Sequence, residues 1–233
     1  MNHSIPNAFF AGPDPYRTRS QEPIAGSPLS IPYSGQTRMR LTISSGMSSA
    51  RLRVDPSADA LVTIHHEGGA PELRMAGSEV RLSWSSSLAD WFRHVIQGHH
   101  RDLEIVLHPA VEWELVVRGG LSSLDGDLTA GSLTRIEVSG GCSNVEIQVP
   151  KPVQAVPIRI SGGASHLRLS RPADVGVSVA VSGGVASLRL DDQTFDAIGG
   201  SARLETSGHV PGSPRYDIHV SGGASHIEID GRT

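Results

Sequence analysis

Val138-Ser139-Gly140-Gly141-Cys142-Ser143-Asn144-Val145-Glu146-Ile147 is one phrase of a refrain. It returns as Ile160-Ser161-Gly162-Gly163-Ala164-Ser165-His166-Leu167-Arg168-Leu169, as Val181-Ser182-Gly183-Gly184-Val185-Ala186-Ser187-Leu188-Arg189-Leu190, and as Val220-Ser221-Gly222-Gly223-Ala224-Ser225-His226-Ile227-Glu228-Ile229. Looser copies run from Ile43 to Leu52, His66 to Met75 and Val117 to Gly126. Equivalent positions Ser44, Glu67, Arg118, Ser139, Ser161, Ser182 and Ser221 are spaced by 23, 51, 21, 22, 21 and 39 residues. A period of 21–23 residues, interrupted by two longer gaps, is the mark of stacked structural repeats.

Within each phrase apolar residues alternate with polar ones on both sides of Gly-Gly, so each repeat reads as strand, corner, strand, with one apolar face. Glycine suits the corner because a side chain there would clash or meet a positive φ. The sequence thus predicts an all-β chain: a single-stranded β-helix, or solenoid, with coils of 21–23 residues. Ile43, Val138, Ile160, Val181 and Val220 are expected in one buried column. Cys142 shares a small apolar column with Ala164, Val185 and Ala224, which makes it core filler and not a reactive thiol. A second column, Arg51, Arg74, Asp125, Glu146, Arg168, Arg189 and Glu228, reads as a solvated charged face. Stacked in sequence order, it sets Glu146 favourably against Arg168 but Arg168 unfavourably against Arg189.

The final copy keeps the interior consensus, and only Asp230-Gly231-Arg232-Thr233 follows it. An end coil of a linear stack would expose strand edges and apolar residues. The expectation is therefore a homo-oligomer, most simply a dimer, formed through the C-terminal coil.

Two segments depart from the pattern. Residues 1–38 hold Pro6, Pro13, Pro15, Pro23, Pro28 and Pro32 and read as an extended leader; packing of Phe9, Phe10, Tyr16, Ile24, Leu29, Ile31 and Tyr33 across the first coil and a disordered tail are its two readings. Ser87 to Gly98 places Leu88, Trp91, Phe92 and Val95 on one stripe, with Ser87 and Asp90 forming a capping box. This predicts one amphipathic helix over about 87–97 as an insertion at 85–100 in a solenoid spanning 39–230.

Asp102-Leu103-Glu104-Ile105-Val106-Leu107-His108-Pro109, then Trp113-Glu114-Leu115-Val116-Val117-Arg118-Gly119-Gly120 and the later Val-Ser-Gly-Gly coils, resembles the bacterial "putative adhesin" β-solenoid domains of unknown function. The resemblance covers roughly 39–230 and implies a β-helical stack.

With 20 Lys and Arg against 24 Asp and Glu, the chain carries no basic stripe for nucleic acid. No apolar run reaches membrane-spanning length, and residues 1–20 lack a signal-peptide pattern, so a cytoplasmic location is expected. No cofactor motif is present: the Gly-Gly turns lack the Lys-Ser/Thr and helix of a phosphate loop, and Ser165 and His166 point to opposite faces of a strand. Six of 11 histidines fall between 65 and 108. His65, His66, His94, His99, His100 and His108, with Trp84, Trp91 and Trp113, are the candidate ligand-site residues; a metal site and solvated loop histidines are the two readings of the cluster. The leading function is a non-catalytic scaffold or interaction protein working by self-assembly or binding of a protein partner. The alternative is an enzyme or ligand-binding protein with its site between the insertion and the coils at 64–108.

Overall fold

The computed structural model of the protein describes residues 27–44, 47–66, 70–84, 102–119, 121–206 and 212–232. Alternating sequences become strands throughout. The chain opens with β1 (Leu29–Pro32), β2 (Arg38–Ser44), β3 (Met47–Val54), β4 (Ala60–His66), β5 (Glu72–Ala76) and β6 (Glu79–Ser83). Then come β7 (Asp102–Leu107), β8 (Glu112–Arg118), β9 (Leu121–Asp127), β10 (Ser132–Ser139), β11 (Cys142–Gln148), β12 (Ala155–Ser161) and β13 (Ala164–Pro172). It finishes with β14 (Gly176–Ser182), β15 (Val185–Leu190), β16 (Gln193–Ile198), β17 (Ser201–Glu205), β18 (Arg215–Ser221) and β19 (Ala224–Arg232).

These strands form two mixed sheets that share one aliphatic core. The first has ten strands in the order β1-β4-β7-β3-β9-β11-β13-β19-β15-β16, and the second has nine in the order β17-β14-β18-β12-β10-β8-β2-β6-β5. Each Gly-Gly corner carries the chain from the second sheet to the first, as from β10 to β11, so one strand of each makes a layer. Ile43, Val117, Val138, Ile160, Val220 and Val181 occupy one register row of the second sheet, and all are buried. Leu124, Val145, Leu167, Ile227 and Leu188 form the facing row of the first. Leu167 is 6% exposed, so Leu167→Ala is expected to cost roughly 2–5 kcal/mol in a denaturant titration, the usual range for a buried leucine. A loss below about 1 kcal/mol would show that this row is not core.

The chain is all-β as expected, but the expectation of a single-stranded β-helix, or solenoid, with coils of 21–23 residues is overturned by these two mixed sheets of ten and nine strands. Layers follow sequence from β8 to β13, but at each end the order inverts. Layer β2–β3 lies inside β6 and β7, and layer β18–β19 is inserted between β12–β13 and β14–β15. Antiparallel strands then close both ends: β1, β4 and β5 at one, β16 and β17 at the other. Leu29–Pro32, within the stretch read as leader, supplies β1. Among the described residues there is no helix, and the predicted helix at 87–97, with its insertion at 85–100, lies outside them. No helix of the described residues is long and apolar enough to cross a membrane.

The premise of the C-terminal dimer also fails. Val220 to Ile229 is hydrogen-bonded on both flanks by the chain itself, and Val220, Ile227 and Ile229 are buried in its core. The exposed coil that a second subunit was expected to cover does not exist.

Charge explains the insertion. Glu228 stands between Arg168 and Arg189, bonding them at 3.4 and 3.2 Å, so the like pair of the sequence-order stack never forms. Such exposed pairs contribute at most about 1 kcal/mol each, enough to choose among similar repeats but not to hold the stack together. A buried clamp supports the choice. Arg171, 2% exposed, crosses β19 beside Gly231 and donates from Nη2 to Asp191 Oδ2 at 2.5 Å. Tyr216 in β18 is fully buried and its hydroxyl donates to the Pro150 carbonyl at 2.6 Å; burial pushes the phenol pKa up.

Candidate functional site

The histidine-rich stretch does not converge in the described structure. His65 lies on the outer face of β4, in register with Glu104, while its neighbour His66 turns inward opposite Leu103. Both ring nitrogens of His66 are buried with no hydrogen-bond partner among the described residues. His108 follows β7, about 16 Å along that strand from the level of His66 at the usual rise per residue. Its ring stacks on Tyr33 with centroids 3.8 Å apart, its Nδ1 accepts from the Ala110 N–H, and its carbonyl accepts from Trp113 Nε1 at 3.0 Å. Trp113 is fully buried, and Trp84 is half-buried against the core. His108 and Trp113 are therefore bound up in packing. Trp91, His94, His99 and His100 lie outside the described residues. Among the described residues no three His, Cys, Asp or Glu side chains are grouped to hold a metal.

A different feature emerges at the corners. The first glycine of each pair is dictated by the stack: at Gly140 φ is +119°, and a Cβ would stand 2.5 Å from the Gly119 carbonyl oxygen. The second glycine is not. Gly141, Gly163, Gly223 and Gly184 have no left-handed φ, and a Cβ built on any of them meets nothing within 4 Å among the described residues. Gly199, at the end of the same line, is equally unconstrained. These positions line a shallow open trough of about 850 Å³, walled by small residues from β11 to β16. Cys142, Ala164, Ala224 and Val185 form its buried floor, and burial raises the Cys142 thiol pKa, in keeping with a core residue.

The trough is bordered by polar ladders. On one side Asn144, His166, His226 and Ser187 share a register row, with the two imidazoles stacked at 5.0 Å. On the other, Ser139, Ser161 and Ser221 donate from Oγ to the carbonyls of Val117, Val138 and Ile160. Alternating ion pairs begin only beyond these rows, as with Arg168, Glu228 and Arg189. The surface thus leaves the backbone at the second glycines open to close approach. Reading both glycines as turn residues hid this site. The signal was present in the repetition of the second one, which a turn does not need.

The sequence matches no family model, and no curated protein is significantly similar to it. Solved structures similar to the chain include a "putative cell adhesion protein" from Clostridium sporogenes, with a TM-score of 0.64 at 14% identity, covering 89% of this chain and 99% of that one. A "putative adhesin" from Bacteroides fragilis aligns over 87% of this chain and 97% of its own length at 8% identity, with a TM-score of 0.31. The first of these likenesses shows a shared fold.

Proposed function

We propose that the protein is a non-catalytic interaction module or scaffold whose contact surface is the trough along the Gly-Gly corners. The observation that carries this reading is the line of second glycines, repeated in four successive layers where φ is not left-handed and a Cβ would meet nothing within 4 Å among the described residues. Glycine in such a place lets another backbone approach closely. The solved neighbour named for cell adhesion is consistent with an interaction role. Immobilised wild-type protein and a folded Gly163→Leu/Gly223→Leu variant are compared for capture of partners. Recovery by the wild type alone supports the trough; equal recovery by both overturns it.

A second reading, a ligand site within residues 64–108, draws on the buried nitrogens of His66, which have no hydrogen-bond partner among the described residues. Purified protein incubated with Zn²⁺ and desalted is expected, on that reading, to retain stoichiometric metal that His66→Ala loses. Equal metal in both proteins, or none in either, would dispose of it.

A further inference from the structure

We infer that the protein forms a two-fold dimer in which the β16–β17 layer of one copy pairs antiparallel with the same layer of a second copy. This goes beyond the interaction reading and does not depend on it, because the trough takes no part in the contact.

The open edge is the first argument. β16 is paired to β15 and β17 to β14, and among the described residues neither has a strand on its other side. A bare edge is a template for further pairing unless its sequence prevents it. The opposite end of the stack carries such a device: Pro32 lies within β1, where the register shifts, and Pro71 directly precedes β5. Gln193–Ile198 and Ser201–Glu205 hold no proline. The core is unfinished at the same place. Phe195, Ile198 and Leu204 pack on it from the last layer but stay half-buried, whereas their neighbours Leu188, Val185 and Val179 are at most 2% exposed.

Register is the second. Phe195 stands beside Leu188 and Leu204 beside Val179, each the second inward position from the Gly199-Gly200 corner. One two-fold axis perpendicular to both sheets can therefore pass beside both residues, so that both sheets continue through the contact at once. Phe195 then meets the partner's Phe195, and Leu204 meets the partner's Leu204. The axis reverses the corners, so the two troughs of the dimer face opposite ways and both stay open.

Charge is the third. In this register Arg203 lies opposite the partner's Glu205, and Glu205 opposite the partner's Arg203. The two already pair within their own strand at 3.2 Å. Facing a reversed copy, they complete a square of four charges that alternate in sign, a favourable cross-strand arrangement. Sliding the axis one residue toward the corner would set Asp196 against Asp196 and Arg203 against Arg203. One residue the other way, Glu205 would face Glu205. Like charges directly opposite are unfavourable, so the sequence selects the register that also joins the apolar residues.

Light scattering of the full chain at tens of micromolar is expected to give twice the chain mass of 24.6 kDa. Arg203→Glu should weaken association about tenfold, and Arg203→Glu/Glu205→Arg should recover it, since the swap restores every opposite-sign contact. Position is read separately. Thr194→Cys and Asp196→Cys proteins, mixed and oxidised with diamide, should give a disulfide-linked dimer that neither forms alone, because directly opposed residues bring their Cβ atoms within about 5 Å. The native thiol of Cys142 is buried. A monomer at that concentration overturns the proposal. So does a dimer that Arg203→Glu leaves unchanged, one that the swap does not restore, or one whose thiols do not pair between 194 and 196. Should Arg203→Glu lower the melting temperature, the thiol pairing decides alone. Mass is read with no other protein present, so failure here leaves the trough's capture of partners standing, and failure of capture leaves the dimer.

Discussion

Removing residues 207–233 is expected to abolish folding, not to shorten the stack by one layer. The deletion takes β18 and β19, each hydrogen-bonded on both sides, and leaves β12, β13, β14 and β15 with an open edge apiece. It also removes Tyr216, Ile218, Val220, Ile227 and Ile229 from the core, where every one is at most 2% exposed. At about 1.5–3 kcal/mol per buried side chain the loss is roughly 10 kcal/mol, comparable with the whole stability of a domain. Closing β14 directly onto β12, and β15 onto β13, would set Arg168 against Arg189. Circular dichroism and gel filtration of the truncated protein should report an unfolded or aggregated chain. A soluble, cooperatively melting product would show that the inserted layer is dispensable and that the order of the sheets is wrong.

The second large effect separates the two glycines of one corner. Gly222→Val is expected to destabilise by about 3 kcal/mol or more, since φ there is +110° and the new Cβ would stand 2.7 Å from the Gly162 carbonyl oxygen. Gly223→Val, one residue on, should change stability by less than about 1 kcal/mol, because its surroundings are open. Urea titrations of both variants check the contrast. Equal losses would mean that both glycines serve the turn, and the case for the trough as a contact surface would fall with that result.

Strand type, corner position and buried rows were legible in the sequence because each rests on local alternation. Val138, Ile160, Val181 and Val220 share a row whichever repeat lies beside which. Their spatial order was not legible for the same reason: near-identical phrases stack equally well in any sequence, and the hydrophobic pattern is blind to permutation. Only the charged column distinguished them. The unfavourable meeting of Arg168 and Arg189 in a sequence-order stack was the sign that Glu228 belongs between them. The closing strands β16 and β17 escaped notice because Gln193–Ile198 and Ser201–Glu205 are short, polar and without the refrain. Of the candidate site, the histidine cluster rested on proximity in sequence, and a strand sets His66 and His108 at opposite ends. The trough depends on which of two adjacent glycines the backbone needs, a distinction that only φ and the neighbouring carbonyls make.

The inserted layer also dictates a timetable for the newborn chain. A ribosome has finished β13 about 60 residues before it releases the end of β19, an interval of roughly 3–12 s at ordinary elongation rates. Throughout it the growing edge of both sheets stands open, and β14 to β17 wait without their permanent seat. Arg159 and Arg168 are exposed arginines of that waiting edge. Their charge discourages other nascent chains from pairing with it, and when β19 arrives Arg168 takes up Glu228. The same arginine thus guards the vacancy first and receives its rightful occupant afterwards.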